Sequence, residues 1–231
     1  MAWLRWKSCM LGLGNVGVVA FYYPDRAEAW DKLCQAEFLG NFYPLTEELR
    51  LEAPLRPGET HCFGNAEAAY QALKSWPRAA EFRNLSGSEA FRKKRGLEAE
   101  GQADWTYGGF GSNMAGMFQV LRVKFAPGTA MHARLQQTGD AYLLEHNSKC
   151  GRDRFWSDNK DGDGLNWLGL QLMLLREESR QTKPWTAWIR KHVDVETGDV
   201  KDEVWQSTVR AAAKCLNQTM GSWQTRLLLR D

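Results

Sequence analysis

The stretch Leu165–Arg176 constrains the fold of this chain more than any other, because at helix length it is apolar on nearly every face. A surface helix keeps one polar side, so a helix without one needs neighbours all round and has to lie inside a core. With 231 residues the chain can build that core within one domain. Domains of up to roughly 250 residues are ordinary and bury about 70–75% of their unfolded surface.

The elements around this helix read as a mixture. Val18–Tyr23 is a first strand, stopped by Pro24-Asp25, and Ala27–Phe38 a helix. Leu51–Pro57 is a short second strand or edge. Asn65 caps a helix running to about Trp76, which Pro77 closes, and another helix starts at Ser88-Glu89-Ala90-Phe91. Gly96–Gly111 has no clean period and reads as an elaborated loop. Met114, Met117, Phe118, Leu121 and Phe125 recur at helical spacing over Asn113–Phe125, and Thr129–Thr138 is a further helix ended by Gly139. Ala141–His146 is a strand, Asn147–Gly164 a polar loop, and the tail carries Trp185, Trp188, Trp205 and Trp223 with one helix near Glu203–Leu216. Many helices with a few short strands make the expected class α+β. The expected organisation is one compact domain over residues 18–180, with a helical C-terminal extension over 181–231 packed on it.

Composition excludes several functions. A formal net charge of +2 gives little long-range field, which argues against tight nonspecific nucleic-acid binding. No run reaches the ~20 apolar residues that span a bilayer, so no membrane partner is expected. Cys9, Cys34, Cys62, Cys150 and Cys215 are scattered and form no C-x-x-C pair, which speaks for a reducing, cytoplasmic setting and against a zinc knuckle. Arg5 and Lys7 ahead of the weakly apolar Cys9–Phe21 have the look of a targeting segment, but Gly12, Gly14, Asn15 and Gly17 break that run. Gly12–Gly17 also matches the letters of a dinucleotide-binding turn, yet a strand follows it where a helix is required. Asn159, Asp161 and Asp163 imitate a calcium loop whose twelfth position would be Leu170 instead of a carboxylate. His61, His132, His146 and His192 show no metal-ligand spacing, so neither a metal nor a cofactor is expected. The 11 tryptophans are first of all core and interface, with stacking on a planar ligand as the alternative.

Two segments carry candidate chemistry. In Gly64-Asn65-Ala66-Glu67-Ala68-Ala69-Tyr70-Gln71-Ala72-Leu73-Lys74 the apolar stripe is Ala66, Ala69, Tyr70 and Leu73. Glu67, Gln71 and Lys74 follow at i, i+4 and i+7, about 10.5 Å along the axis. By spacing alone this is the solvated side of a helix; read for function, its carboxylate and amine flank a bound sugar ring. The second segment is Gly151-Arg152-Asp153-Arg154-Phe155-Trp156-Ser157-Asp158-Asn159, followed by Gly164-Leu165-Asn166-Trp167-Leu168-Gly169. It is either a surface loop held by Asp–Arg pairs or the aromatic and acidic rim of a site ahead of a helix N-terminus.

Taken in order, Asn41-Phe42-Tyr43-Pro44, the Ala66–Lys74 segment, Trp105, Lys124-Phe125, Thr138-Gly139-Asp140, Leu144-Glu145, Asp153, Trp156, Gly164-x-Asn166-x-Leu168-Gly169 and Arg176 resemble the NADAR (YbiA-like) family. The likeness covers about Val18–Arg176. Gly40 departs from the serine that usually precedes Asn-Phe-Tyr, and Ser157-Asp158 from the glycine that follows Trp156 in many relatives.

The resemblance implies hydrolysis of an N-glycosidic bond between a ribose and a base or amine. The implied substrates are ADP-ribose on guanine, which can be nucleic-acid-linked, or early riboflavin-pathway intermediates; a module that binds ADP-ribose or a nucleotide without cleaving it is the alternative. It makes Glu67, Lys74, Asp153 and Trp105 the catalytic candidates. Asn41, Phe42, Tyr43, Gly64, Gln71, Arg154, Trp156, Asp158 and Asn166 are the substrate-binding ones. A carboxylate, Glu67 or Asp153, steadies an oxocarbenium ion or activates water; alternatively Lys74 forms an imine with the opened ribose. Trp105 or Trp156 stacks on the base, and Arg154 holds a phosphate or pairs with Asp153 or Asp158.

Overall fold

The computed structural model describes residues 16–228, with side chains to residue 222. The glycine run at residues 12–17 and the targeting-like segment before it lie largely outside that range. The class is α+β: eight α-helices and four short strands among the described residues. They group into two compact units, one of residues 16–22, Glu28–Ala36 and 136–228, the other of Tyr23–Ala27 and Glu37–Leu135.

The first unit is built on a parallel pair, β1 (Val18–Phe21) and β4 (Tyr142–Glu145), in register Val18↔Tyr142 to Phe21↔Glu145. All four residues of β4 are buried, as expected of a parallel strand covered on both faces. The helix α6 (Trp167–Glu178) packs on β4 and buries every residue from Trp167 to Glu177. Its apolar perimeter is thereby explained. The helix α7 (Pro184–His192) lies on α6, and α8 (Glu203–Leu228) lies against β1 and β4. Much of the tryptophan load is core, and three of the indole N–H groups find loop carbonyls: Trp185 donates to Asp140 O at 3.0 Å, Trp205 to Leu165 O at 2.8 Å and Trp167 to Gly198 O at 3.0 Å. Arg176, fully buried, donates to Thr138 Oγ1 at 2.9 Å and so ties the end of α6 to the turn before β4.

The second unit centres on α2 (Ala66–Ala72), with α3 (Gly87–Ala99) and α4 (Asn113–Lys124) packed on it. Four of its seven residues are alanines, which lets those helices approach closely. An antiparallel hairpin, β2 (Leu49–Glu52) with β3 (Thr60–Phe63), closes another side in register Leu49↔Phe63. The remaining helices are α1 (Ala29–Cys34), on β1 in the first unit, and α5 (Ala130–Gln137).

Several elements differ from their expected limits. The hairpin partner β3 and the helix α7 were not legible in the pattern, α3 runs on to Ala99 into the segment read as loop, and α8 extends to Leu228. The largest difference concerns α2. It ends at Ala72, before Pro77, and tightens into 3₁₀ turns over Leu73–Phe82 that are interrupted at Ser75 (φ −159°, ψ 60°).

Candidate active site

Asn65 caps α2 by accepting from Ala68 N–H at 2.8 Å, while Glu67 N–H donates to the carbonyl of Asn41 at 2.9 Å. Both bonds satisfy first-turn donors that a helix cannot satisfy itself. Glu67 and Gln71 then meet one turn apart, Gln71 Nε2 donating to Glu67 Oε1 at 2.7 Å. Lys74 follows in the first 3₁₀ turn, ahead of the break at Ser75, and its carbonyl accepts from Asp104 N–H at 2.7 Å. Glu67, Gln71 and Lys74 are only 6%, 4% and 8% exposed. The solvated stripe that their spacing resembles is therefore a buried one, and the straight helix implied by i, i+4, i+7 is replaced by a helix that tightens before its amine.

The Lys74 amine lies 4.7 Å from the centre of the Tyr70 ring and 5.6 Å from that of Tyr107. The two rings stack at 5.7 Å with 20° between planes. Burial lowers the Lys74 pKa to about 8, helped by the Lys94 charge and opposed by Glu67 and Glu98. No carboxylate among the described residues comes within ion-pair distance of it; Glu98 is engaged by Lys94 at 2.8 Å. Gln71, Lys74, Ser75, Lys94, Leu97, Glu98 and Ala103 line a narrow recess, too tight to admit a water molecule.

Trp105 stands 60% exposed beside this group, edge-on to Tyr107 at 6.4 Å. Its turn is organised by Asp104, whose carboxylate accepts from Thr106 N–H, Thr106 Oγ1 and Gly108 N–H. Gly108 has φ +65°, and a Cβ there would stand 2.9 Å from the Ala53 side chain, so the close turn requires glycine.

The Asn41-Phe42-Tyr43 segment is held from below. Lys124, fully buried, donates from Nζ to Gly40 O at 2.7 Å and reaches Leu39 O at 3.5 Å. Asn41 Nδ2 contacts Met117 Sδ at 3.5 Å, and its Oδ1 is buried without a hydrogen-bond partner among the described residues. The Phe42 ring lies against Gly87, where a Cβ would come within 2.2 Å of it. Tyr43 packs edge-on to Tyr23 at 5.4 Å. Gly64 bridges Leu45 N–H and the Arg83 carbonyl.

Burial brings the Lys124 pKa down to about 7, with Arg134 acting in the same direction. The folded state thus binds fewer protons than the unfolded chain between about pH 7 and the ordinary lysine range, so stability increases with pH across that window. Between pH 7 and 9 the urea midpoint of the wild type is expected to climb, and Lys124→Met to flatten the climb. A wild-type midpoint that stays level would contradict the buried amine.

Asp153, Arg154, Trp156, Asp158 and Asn166 belong to the first unit, so only Glu67, Gln71, Lys74 and Trp105 are brought together within one unit with Asn41, Phe42, Tyr43 and Gly64. Asp153 Oδ1 accepts from Phe155 N–H and Trp156 N–H at 3.0 and 2.9 Å, and burial raises its pKa against those bonds. Trp156 packs edge-on to Trp167 at 5.6 Å. Arg154 is mostly exposed and faces Asp163 at 3.7 Å, where Asp153 or Asp158 was the expected partner. Asp158 has no exposed surface and pairs with His146 Nδ1 at 2.6 Å. With Ser157 and Asn159 also buried, the segment is not the simple surface loop that Asp–Arg pairing suggests. Asn166, at φ 52°, precedes α6 and bonds the neighbouring strand instead of its own helix, accepting from Glu145 N–H and donating to Leu143 O and Tyr142 OH.

Sequence reasoning missed Tyr107, Lys94 and Glu98 as neighbours of Lys74. Tyr107 lies in an irregular segment at φ 54°, and the other two lie on α3, so only packing reveals them. Among the described residues no three His, Cys, Asp or Glu side chains group as a metal site, and no helix is long and apolar enough to cross a membrane.

No protein-family model matches the chain. A riboflavin biosynthesis protein of Vibrio vulnificus is 32% identical over 170 residues, which is 72% of this chain and 40% of that protein. N-glycosidase YbiA of Escherichia coli K12 is 40% identical over 62 residues, 27% of this chain and 37% of that protein. The similarity is to proteins of the NADAR, YbiA-like family. It spans about two fifths of the length of these two relatives. The chloroplastic riboflavin biosynthesis protein PYRR of Zea mays shares 34% identity over 71 residues, 31% of this chain and 11% of its own length. The solution structure of E. coli YbiA superposes with a TM-score of 0.48 at 24% identity, covering 76% of this chain and 87% of that one.

Proposed function

We propose that the chain is a hydrolase that cleaves the N-glycosidic bond between a ribose and a base or amine. The observation that carries this reading is the Lys74 amine. It is buried against the Tyr70 and Tyr107 rings, has a pKa of about 8, and lies one turn beyond the Glu67–Gln71 pair on a small recess. An amine desolvated to this degree is in part neutral near pH 7, which is what a nucleophile toward carbon needs. On the ring-opened substrate, Lys74 Nζ bonds to C1 as the C1–N bond to the base breaks and the base leaves with a proton. Water then adds to the imine carbon, and the C1–Nζ bond breaks to release the sugar and the free amine. Glu67 stands near enough to favour the cationic states along this path. Trp105, exposed at the edge of the same aromatic group, offers a face for the departing base.

The names of the Vibrio vulnificus and maize relatives favour a ribosylated intermediate of riboflavin synthesis as substrate over ADP-ribosylated guanine. The basic run Arg92–Arg95 lends the nucleic-acid-linked alternative little, since Lys93 is paired with Glu81 and Lys94 with Glu98. Cys34, Cys62, Cys150 and Cys215 are unbridged, which fits a reducing compartment such as the cytoplasm.

The test is to offer the purified chain a ribosylaminopyrimidine 5′-phosphate and, separately, an ADP-ribosylated guanosine oligonucleotide, and to follow base release. Release is expected, with kcat/KM rising about tenfold per pH unit below pH 8 and levelling above it, as the neutral amine is populated. A folded chain that releases base from neither substrate refutes the reading.

A further inference from the structure

The two rings against the Lys74 amine come from different elements. Tyr70 belongs to α2, and Tyr107 reaches the amine from the turn between α3 and α4. The backbone of Tyr107 is the costly part of that turn. Gly108, Gly109 and Gly111 take φ of +65°, +92° and +93°, which glycine adopts freely. Tyr107 stands at φ +54°, where a side chain crowds its own backbone. The conformation is fixed from several sides. Asp104 N–H donates to the carbonyl of Lys74 itself at 2.7 Å, Leu55 N–H to Gly108 O at 3.0 Å and Phe110 N–H to Tyr107 O at 3.3 Å. On α4, Gly116 leaves room for the side chain, since a Cβ there would stand 3.1 Å from Tyr107 Cβ. Strain imposed in this way by surrounding elements points to a side chain whose placement matters.

What the placement achieves is cover for one amine. The Tyr107 ring touches the exposed Trp105 and Lys74, and stacks on Tyr70. The recess that Lys74 lines is itself too narrow for water. A ring face attracts an ammonium less than the water it displaces, so such cover disfavours the charged form. The charged and titratable groups around the amine are Glu67 and Tyr70 on α2, Lys94 and Glu98 on α3, and Asp104 and Tyr107 on the turn. Lys94 is held by Glu98, and Asp104 is turned to Thr106 and Gly108. Burial and the Glu98 charge raise the Tyr107 pKa against a hydrogen bond with Tyr70, so its phenol stays neutral. We propose that Tyr107 is a positioning residue for Lys74: the strained turn holds its ring against the amine, keeps water off it and disfavours its protonated form. This rests on the glycosidase reading for what the amine does, but not for the shielding.

The test reads the proton directly and needs no turnover. In protein made with isotope-labelled lysine, the Lys74 Nζ resonance is identified by its absence from Lys74→Ala and titrated by NMR. In the wild type it is expected to titrate near a pKa of about 8. Tyr107→Phe keeps the ring and should leave that value in place. Tyr107→Gly removes the ring where glycine suits the turn, and the value should rise to about 9 or above as water reaches the amine. Where glycosides are cleaved, kcat/KM of Tyr107→Gly should fall about tenfold at pH 7 and meet that of the wild type once pH passes the raised value. A ring that only supports the fold would lower it at every pH. A wild-type Lys74 that titrates in the ordinary lysine range overturns the assignment whether or not Tyr107→Gly folds. So does a value unmoved in folded Tyr107→Gly, or one that Tyr107→Phe raises as far. A value that Tyr107→Gly alone raises, in a chain that cleaves no glycoside, upholds the shielding and removes only the glycosidase reading.

Discussion

Lys74→Ala is expected to abolish the adduct that borohydride traps from the wild type and a ribosylated substrate. Reduction turns the imine into a stable secondary amine, so intact mass and peptide mapping place it on one residue. Turnover should fall by about 10³-fold or more, the scale expected when a covalent nucleophile is removed. Lys74→Arg should be as inactive, because a guanidinium keeps the positive charge near the rings but is never neutral. That pair of variants separates an attacking amine from a cation that merely sits by Tyr70 and Tyr107. Neither change should unfold the protein: the amine has no ion pair among the described residues, and its ring contacts are worth about 0.5–2 kcal/mol. If the wild type yields no adduct while Lys74→Ala keeps most of its turnover, chemistry through Glu67 alone replaces the imine route.

The largest stability effect is expected at Gly169 in α6. A Cβ there would stand 2.1 Å from the carbonyl oxygen of Leu143 and 2.6 Å from both terminal atoms of Asn166. Those are the same groups that lace α6 to β4, since Asn166 bonds Leu143 O, Tyr142 OH and Glu145 N–H. Neither side can yield cheaply, because α6 and β4 are buried through almost their whole length. Gly169→Ala should therefore cost about 3 kcal/mol, lowering Tm by roughly 6–12 °C. The contrasting variant is Gly96→Ala on the exposed side of α3, where nothing lies within 4 Å of the new methyl. It should leave Tm unchanged or raise it, because alanine is the better helix former. A Tm for Gly169→Ala within a degree or two of the wild type would show that helix and strand are not this close.

What could be read in advance follows from how local each signal is. The strands β1 and β4 and the helices α4 and α6 announce themselves because their apolar residues recur at fixed periods or leave no polar face. The strand β3 does not, since Thr60-His61-Cys62-Phe63 is half exposed and becomes a strand through pairing with Leu49–Glu52. The helix α7 is short and contains two tryptophans whose burial depends on α6 and α8. At the candidate site, the residue types of Glu67, Gln71 and Lys74 were legible, and so was their neighbourhood on one helical segment. Their burial was not, because a polar stripe at helical spacing looks the same in water as under α3. Nor was the turn at Ser75, a backbone conformation that no residue pattern there announces. Asp158 shows the same limit: an aspartate in a polar loop reads as surface, and only the fold reveals it as the buried partner of His146.

By itself, the order of residues determined the class of the fold, the obligate interior position of α6, and which carboxylate, amide and amine share one stretch of helix. These follow from hydrophobic periodicity and capping, which act over a few residues. The tertiary structure decided that this stretch is buried, that Lys74 lies against two tyrosine rings and loses its charge near pH 8, and that Gln71 Oε1 finds no hydrogen-bond partner among the described residues. Desolvation is the physical reason. It depends on which distant segments remove water from a group, and no local pattern encodes that.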